Sequence, residues 1–168
     1  MYIPRPARLT AQITSRLRSA DIEPETVQSV LAQYGLNQSA PPRNMPNARR
    51  NRNLIVYTDA GRMVLKHYRK DWTTNTIAYE HSILNTLAES NFPAPRLRTS
   101  LNNETCIHLD GRNYCVFEFV NGLNYSWVYL FRPHRMRLMR TAGRTLAQLH
   151  RQLMGFHPTG KHHLGLVS

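Results

Sequence analysis

The chain is short of acid. Ten Asp and Glu stand against 22 Lys and Arg in 168 residues, a formal net charge of +12, and no carboxylate follows Glu118. The later part of the chain therefore offers no carboxylate as general base or as ligand for a hard divalent cation. A basic excess suits an anionic ligand, nucleic acid or an anionic surface. It equally suits one piece of a protein whose acidic remainder lies elsewhere. No apolar run approaches the roughly 20 residues that cross a bilayer, and the apolar stretch of a secretory signal is missing too, so a cytoplasmic protein is expected. Cysteine is nearly absent: Cys106 and Cys115 are the only two, without metal-ligand spacing. They fall in neighbouring candidate strands, so a disulfide stays open beside a pair of buried thiols in a reducing cytosol. Glycine is missing between Gly35 and Gly61, and no G-x-G-x-x-G occurs anywhere, which removes the dinucleotide fingerprint of a Rossmann fold. There is no internal repeat.

What is present centres on Arg62-Met63-Val64-Leu65-Lys66-His67-Tyr68. In a strand, alternate side chains share a face, so Val64, Lys66 and Tyr68 lie together. An ammonium between valine and tyrosine needs an anionic partner, a carboxylate or a phosphate. Glu80 is one candidate. It sits in a helical run from about Thr74 to Glu89, on the same face as Ile77, Leu84 and Leu87. A strand lysine followed by a helix glutamate that faces back to the sheet is the arrangement with which a kinase fold holds nucleotide phosphates.

Around this pair the elements can be placed in order. Residues 8–20, arginine-rich and free of acid, read as a basic amphipathic helix rather than a transit peptide. Asp21-Ile22-Glu23-Pro24 opens a second helix with the stripe Val27, Val30, Leu31 and Tyr34 and a stop at Gly35. Residues 37–53 are polar and proline-bearing and read as a loop ending in Arg49-Arg50-Asn51-Arg52. Leu54–Thr58 and the lysine strand form a hairpin about Asp59-Ala60-Gly61. Asp71 or Thr73 caps the Glu80 helix. Three further strands are expected at Arg96–Leu101, Thr105–Leu109 and Asn113–Phe119. Beyond Trp127, Tyr129 and Phe131, Pro133 begins a long helix with the stripe Met139, Ala142, Leu146, Leu149 and Leu153, stopped by Gly155. His150 reads as a helix-end residue, and the paired His162 and His163 as solvated rather than metal-binding. The fold class is α+β, a helix packed on an antiparallel sheet.

Four segments together resemble the aminoglycoside phosphotransferase-like (phosphotransferase enzyme) family, which has the protein-kinase-like fold and includes homoserine, choline and fructosamine kinases. They are Val64-Leu65-Lys66; Tyr79-Glu80-His81 through Leu87 with Phe92-Pro93-Ala94-Pro95; Val116 through Gly122; and Ala142-Gly143-Arg144 through His150. The resemblance covers about residues 36–155. It implies an N-terminal helical segment (1–35), a nucleotide-binding N-lobe (36–120), and a hinge with the first helix of a C-lobe (121–168). Lys66 would contact the α- and β-phosphates of ATP, and Glu80 would orient Lys66. The Glu118 carbonyl and Val120 N–H would bind the adenine edge, with Phe117 behind it and Val64 above. Where the family has a glycine-rich loop this chain departs from it, and Arg50 and Arg52 would either cover phosphate instead or belong to a solvated basic loop.

The family's H-x-D-x-x-x-x-N catalytic loop and acidic metal-binding strand have no counterpart here. The resemblance therefore implies the ATP-binding portion of a small-molecule kinase, with no catalytic or metal-binding residue of its own. Mg²⁺ and the small-molecule hydroxyl acceptor would be expected only with the missing C-lobe. The same charge also fits a basic, non-catalytic module for nucleic acid or a protein partner. The stripe at Leu146, Leu149 and Leu153 fits a degenerate lobe that binds a partner there.

Overall fold

The computed structural model describes residues 22–45, 51–122 and 132–161. The helix expected over 8–20, Arg50, Trp127, Tyr129, Phe131, His162 and His163 lie outside them. In chain order the elements are α1 (Pro24–Gln33), β1 (Gln38–Asn44), β2 (Arg52–Thr58), β3 (Gly61–His67), α2 (Thr74–Glu89), β4 (Ile107–Leu109), β5 (Arg112–Glu118) and α3 (Arg132–Gln152). The strands form one antiparallel sheet in the order β1-β2-β3-β5-β4.

Strand alternation divides the core between the two faces of the sheet. Leu54, Val56, Met63, Leu65, Tyr114 and Val116 pack with Val27, Val30 and Leu31 of α1. Cys115 and Phe117 pack on the other face with Tyr68, Ile77 of α2 and the half-buried Val64 and Leu84. The run Tyr114-Cys115-Val116-Phe117 is buried throughout because β5 lies between two covered faces. α1 begins with Pro24 in its first turn. It ends at Gly35, whose φ of 65° lets Leu36 N–H reach back to the Leu31 carbonyl. α2 is capped by Thr73, whose hydroxyl accepts from Thr76 N–H at 3.3 Å. Asp71 pairs instead with Arg69.

Three expectations are corrected. Residues 38–44 are not loop but the edge strand β1, in spite of Pro41 and Pro42. Its pairing with β2 shifts register between Gln38 and Ala40 and again between Ala40 and Arg43. Proline is tolerated at an edge, where a lost N–H breaks only part of a ladder. Residues 96–101 are not a full strand. Leu97 makes one isolated bridge to Phe117, flanked by Arg98 N–H to Val116 O and Glu118 N–H to Arg96 O. The next strand candidate, Thr105–Leu109, shortens to Ile107–Leu109.

The long helix α3 leaves Met136, Met139 and Leu146 exposed and half-buries Leu149 and Leu153. The chain after it returns to the start of α2. Thr159 N–H donates to Ser82 Oγ at 3.1 Å and Lys161 N–H to the Asn75 carbonyl at 3.3 Å. Gly160 approaches so closely that a Cβ there would sit 2.2 Å from the Asn75 oxygen. Among the described residues no helix is long and apolar enough to cross a membrane.

Candidate nucleotide site

Lys66 projects from β3 on the α2 side of the sheet. Ile77, Leu84 and Leu87 turn α2 toward the core, and Glu80 comes with them. Lys66 Nζ lies 2.5 Å from Glu80 Oε1, with the two side chains 14% and 29% exposed. The ammonium also stands 4.3 Å from the centroid of the Tyr68 ring, where the negative ring face favours a cation. Half-burial makes each charge dependent on the other, because either one alone would be poorly solvated.

The pair is backed by polar side chains, of which the sequence had put Tyr68 on the Lys66 face and His81 beside Glu80 without giving either a role. Tyr68 Oη donates to Glu80 Oε2 at 2.9 Å and lies 3.2 Å from His81 Nε2. His81 Nδ1 in turn lies 2.8 Å from Thr105 Oγ1. Burial, assisted by Lys66 and opposed by Glu80, pushes the His81 imidazole down to about 4, so it is neutral at pH 7. Burial pushes the Tyr68 phenol well above its usual range. Cys106 and Cys115 are unlinked thiols. Hydrogen bonding to Cys115 lowers Cys106, while burial raises Cys115.

In front of the pair opens a cavity of about 360 Å³ whose lining includes Val64, Lys66, Glu80, Phe117, Glu118 and Val120. Phe119 N–H donates to the Arg62 carbonyl at 3.3 Å. That bond makes Met63 and Glu118 a non-hydrogen-bonded pair of the β3–β5 ladder, so the Glu118 peptide groups turn away from β3. The Glu118 N–H is taken by Arg96 O. Among the described residues, no hydrogen bond engages the Glu118 carbonyl or the Val120 N–H. An apolar slot with one free backbone acceptor and one free donor at its rim can hold a planar heterocycle with complementary edge groups.

The structure thus brings together Lys66, Glu80, Val64, Phe117, Glu118 and Val120. It does not bring Arg52. That side chain falls on the opposite face with Leu54 and Val56 and lines a separate cavity beside His67 and Arg112. Its neighbour Asn53, opposite Lys66 in the ladder, lines the Lys66 cavity with Met45, Leu84 and Pro95. Leu84 and Pro95 lie in segments that already stood out in the sequence. Met45 and Asn53 were hidden in the stretch read as loop. Among the described residues no group of His, Cys, Asp and Glu is placed to hold a metal ion.

The phosphotransferase enzyme family matches residues 43–164. A homoserine kinase of Bartonella henselae is 23% identical over 147 residues, which are 88% of this chain and 44% of that protein. A homoserine kinase of Caulobacter vibrioides is 25% identical over 130 residues, 77% of this chain and 39% of that protein. The chain therefore spans less than half the length of these relatives. Among solved structures, a microcompartment-associated aminopropanol kinase superposes with a TM-score of 0.61 at 21% identity, over 77% of this chain and 40% of that one. An aminoglycoside phosphotransferase-like protein of Ralstonia eutropha gives 0.54 at 16% identity, over 77% and 38%. The fold is that of the N-lobe of the protein-kinase-like phosphotransferases.

Proposed function

The chain belongs to the phosphotransferase enzyme family, and on that premise we propose that it is the ATP-binding portion of a kinase that phosphorylates a hydroxyl group of a small molecule. The observation that carries this reading is the Lys66–Glu80 pair at 2.5 Å, set at the mouth of a cavity bounded by Phe117 and Val120. Lys66 would neutralise the α- and β-phosphates, and Glu80 would hold the ammonium in place. Adenine would lie between Val64 and the Phe117–Val120 segment, its edge bonded to the Glu118 carbonyl and Val120 N–H. Phosphoryl transfer depends mainly on charge neutralisation and alignment, and this chain supplies the nucleotide half of both.

The other half lies outside these 168 residues. Glu118 is the last carboxylate, so a catalytic base and the ligands for Mg²⁺ would come from a C-lobe, as would the acceptor pocket. The boundary would fall near residue 120, with α3 as the first C-lobe helix. Titration calorimetry of the 168-residue chain with ATP tests the proposal. Saturable binding that Lys66→Ala weakens at least tenfold is expected, with no phosphoryl transfer by this chain alone. Absence of binding overturns the nucleotide assignment, and Mg²⁺-stimulated transfer by the purified chain overturns the division of labour.

A further inference from the structure

The hydrogen bonds behind Glu80 admit a single proton arrangement. Glu80, ionised against Lys66, can only accept. Tyr68 must therefore spend its one hydroxyl proton on Glu80 Oε2, at 2.9 Å. The Tyr68 oxygen, 3.2 Å from His81 Nε2, is left to accept, so Nε2 carries the imidazole proton. Nδ1 of a neutral ring then accepts from the Thr105 hydroxyl at 2.8 Å. Tyr68 is 1% exposed and His81 4% exposed, so water does not compete for these bonds. The relay joins three parts of the fold: the end of β3, the middle of α2, and the loop before β4. Thr105 is itself anchored from the other face of the sheet, where Tyr34 Oη donates to its carbonyl at 3.2 Å.

We infer that Tyr68, His81 and Thr105 are positioning residues that lock α2 in the rotation presenting Glu80 to Lys66, so the pair is assembled before any nucleotide arrives. Tyr68 touches both partners, its ring under the Lys66 ammonium and its hydroxyl on Glu80. Turning α2 away would leave a phenol and an imidazole buried without partners, which is costly. In its nucleotide consequence the inference rests on the proposed ATP site. In its proton arrangement it does not.

The test uses the 168-residue chain. Nitrogen-15 NMR of the histidines should show His81 as the neutral Nε2–H tautomer at pH 7. An Nδ1–H tautomer or an imidazolium overturns the relay whether or not nucleotide binds. By ATP titration, Tyr68→Phe should weaken affinity on the order of tenfold, the effect of one lost hydrogen bond to a charged group. His81→Leu should do the same. His81→Gln, which keeps an N–H donor near the Nε2 position, should restore most of the affinity. If Lys66→Ala weakens binding and Tyr68→Phe does not, or if Gln and Leu at position 81 are equivalent, the positioning role is overturned. If Lys66→Ala has no effect, the ATP assignment fails and the NMR measurement alone decides the relay. Should Tyr68→Phe not fold, the tautomer and the His81 pair decide.

Discussion

Arg62 and Phe119 are stacked: the guanidinium carbon lies 4.5 Å from the ring centroid, and the same side chain donates to Asn121 Oδ1. One arginine at the start of β3 thus straps down the segment that leaves β5. Arg62→Ala should lower stability by about 0.5–1 kcal/mol, the range for an exposed cation–aromatic contact. Chemical denaturation measures this, and an unchanged midpoint would mean the strap carries no stability.

The Lys66–Glu80 contact predicts strong coupling. Lys66→Met and Glu80→Gln should each destabilise the fold by leaving a half-buried partner unpaired. The double variant should be less damaged than the two added together, with an interaction energy of about 1–3 kcal/mol. A cycle that sums to zero in urea unfolding would show that the two residues do not interact.

Acid sensitivity should come from two histidines. Burial pushes both His67 and His81 down to about 4, with Arg112 and Arg52 adding to the effect at His67. Both remain neutral in the fold at a pH where the unfolded chain, near 6.5, has already taken up protons. Stability is therefore full above about pH 6.5 and falls as pH drops toward 4. Urea midpoints across that window should decline. Replacing His81 with Gln should flatten the decline, and an unchanged slope would assign the sensitivity elsewhere.

Gly160 tests the return of the chain onto α2. Its φ of 89° and its approach to Asn75 O leave no room for a methyl group. Gly160→Ala should release residues 159–161 while the sheet stays folded. Hydrogen exchange should show lost protection at Thr159 and Lys161 N–H, with β3 and β5 unaffected. Retained protection would mean the backbone accommodates the methyl by shifting.

Much of the site was legible because it follows from two periods. A repeat of two set Val64 and Lys66 on one face, and a repeat of 3.6 set Glu80 beside Ile77 and Leu84. The same alternation separates Arg52 from Asn53, so the misplacement of Arg52 was avoidable once β2 was extended two residues toward its start. β1 was harder to see. Its polar, proline-bearing sequence lacks the β-branched residues that mark a strand, and it is held mainly by β2 on one side. Alternation put Tyr68 on the Lys66 face, but the hydrogen bonds by which Tyr68, His81 and Thr105 back Glu80 were not legible. They depend on how α2 is rotated and on where a loop 24 residues beyond His81 returns, which no local pattern encodes.

The paired prolines of β1 have a consequence for solubility. Pro41 and Pro42 carry no N–H, so the outermost strand lacks two successive donors at the point where its pairing with β2 shifts register. The opposite rim is β4, only three residues long. A second chain seeking to extend the sheet finds a gap in the donors at one border and too few rungs at the other. Both borders resist edge-to-edge polymerisation, so a lobe with open sheet edges is protected from adding strands to itself.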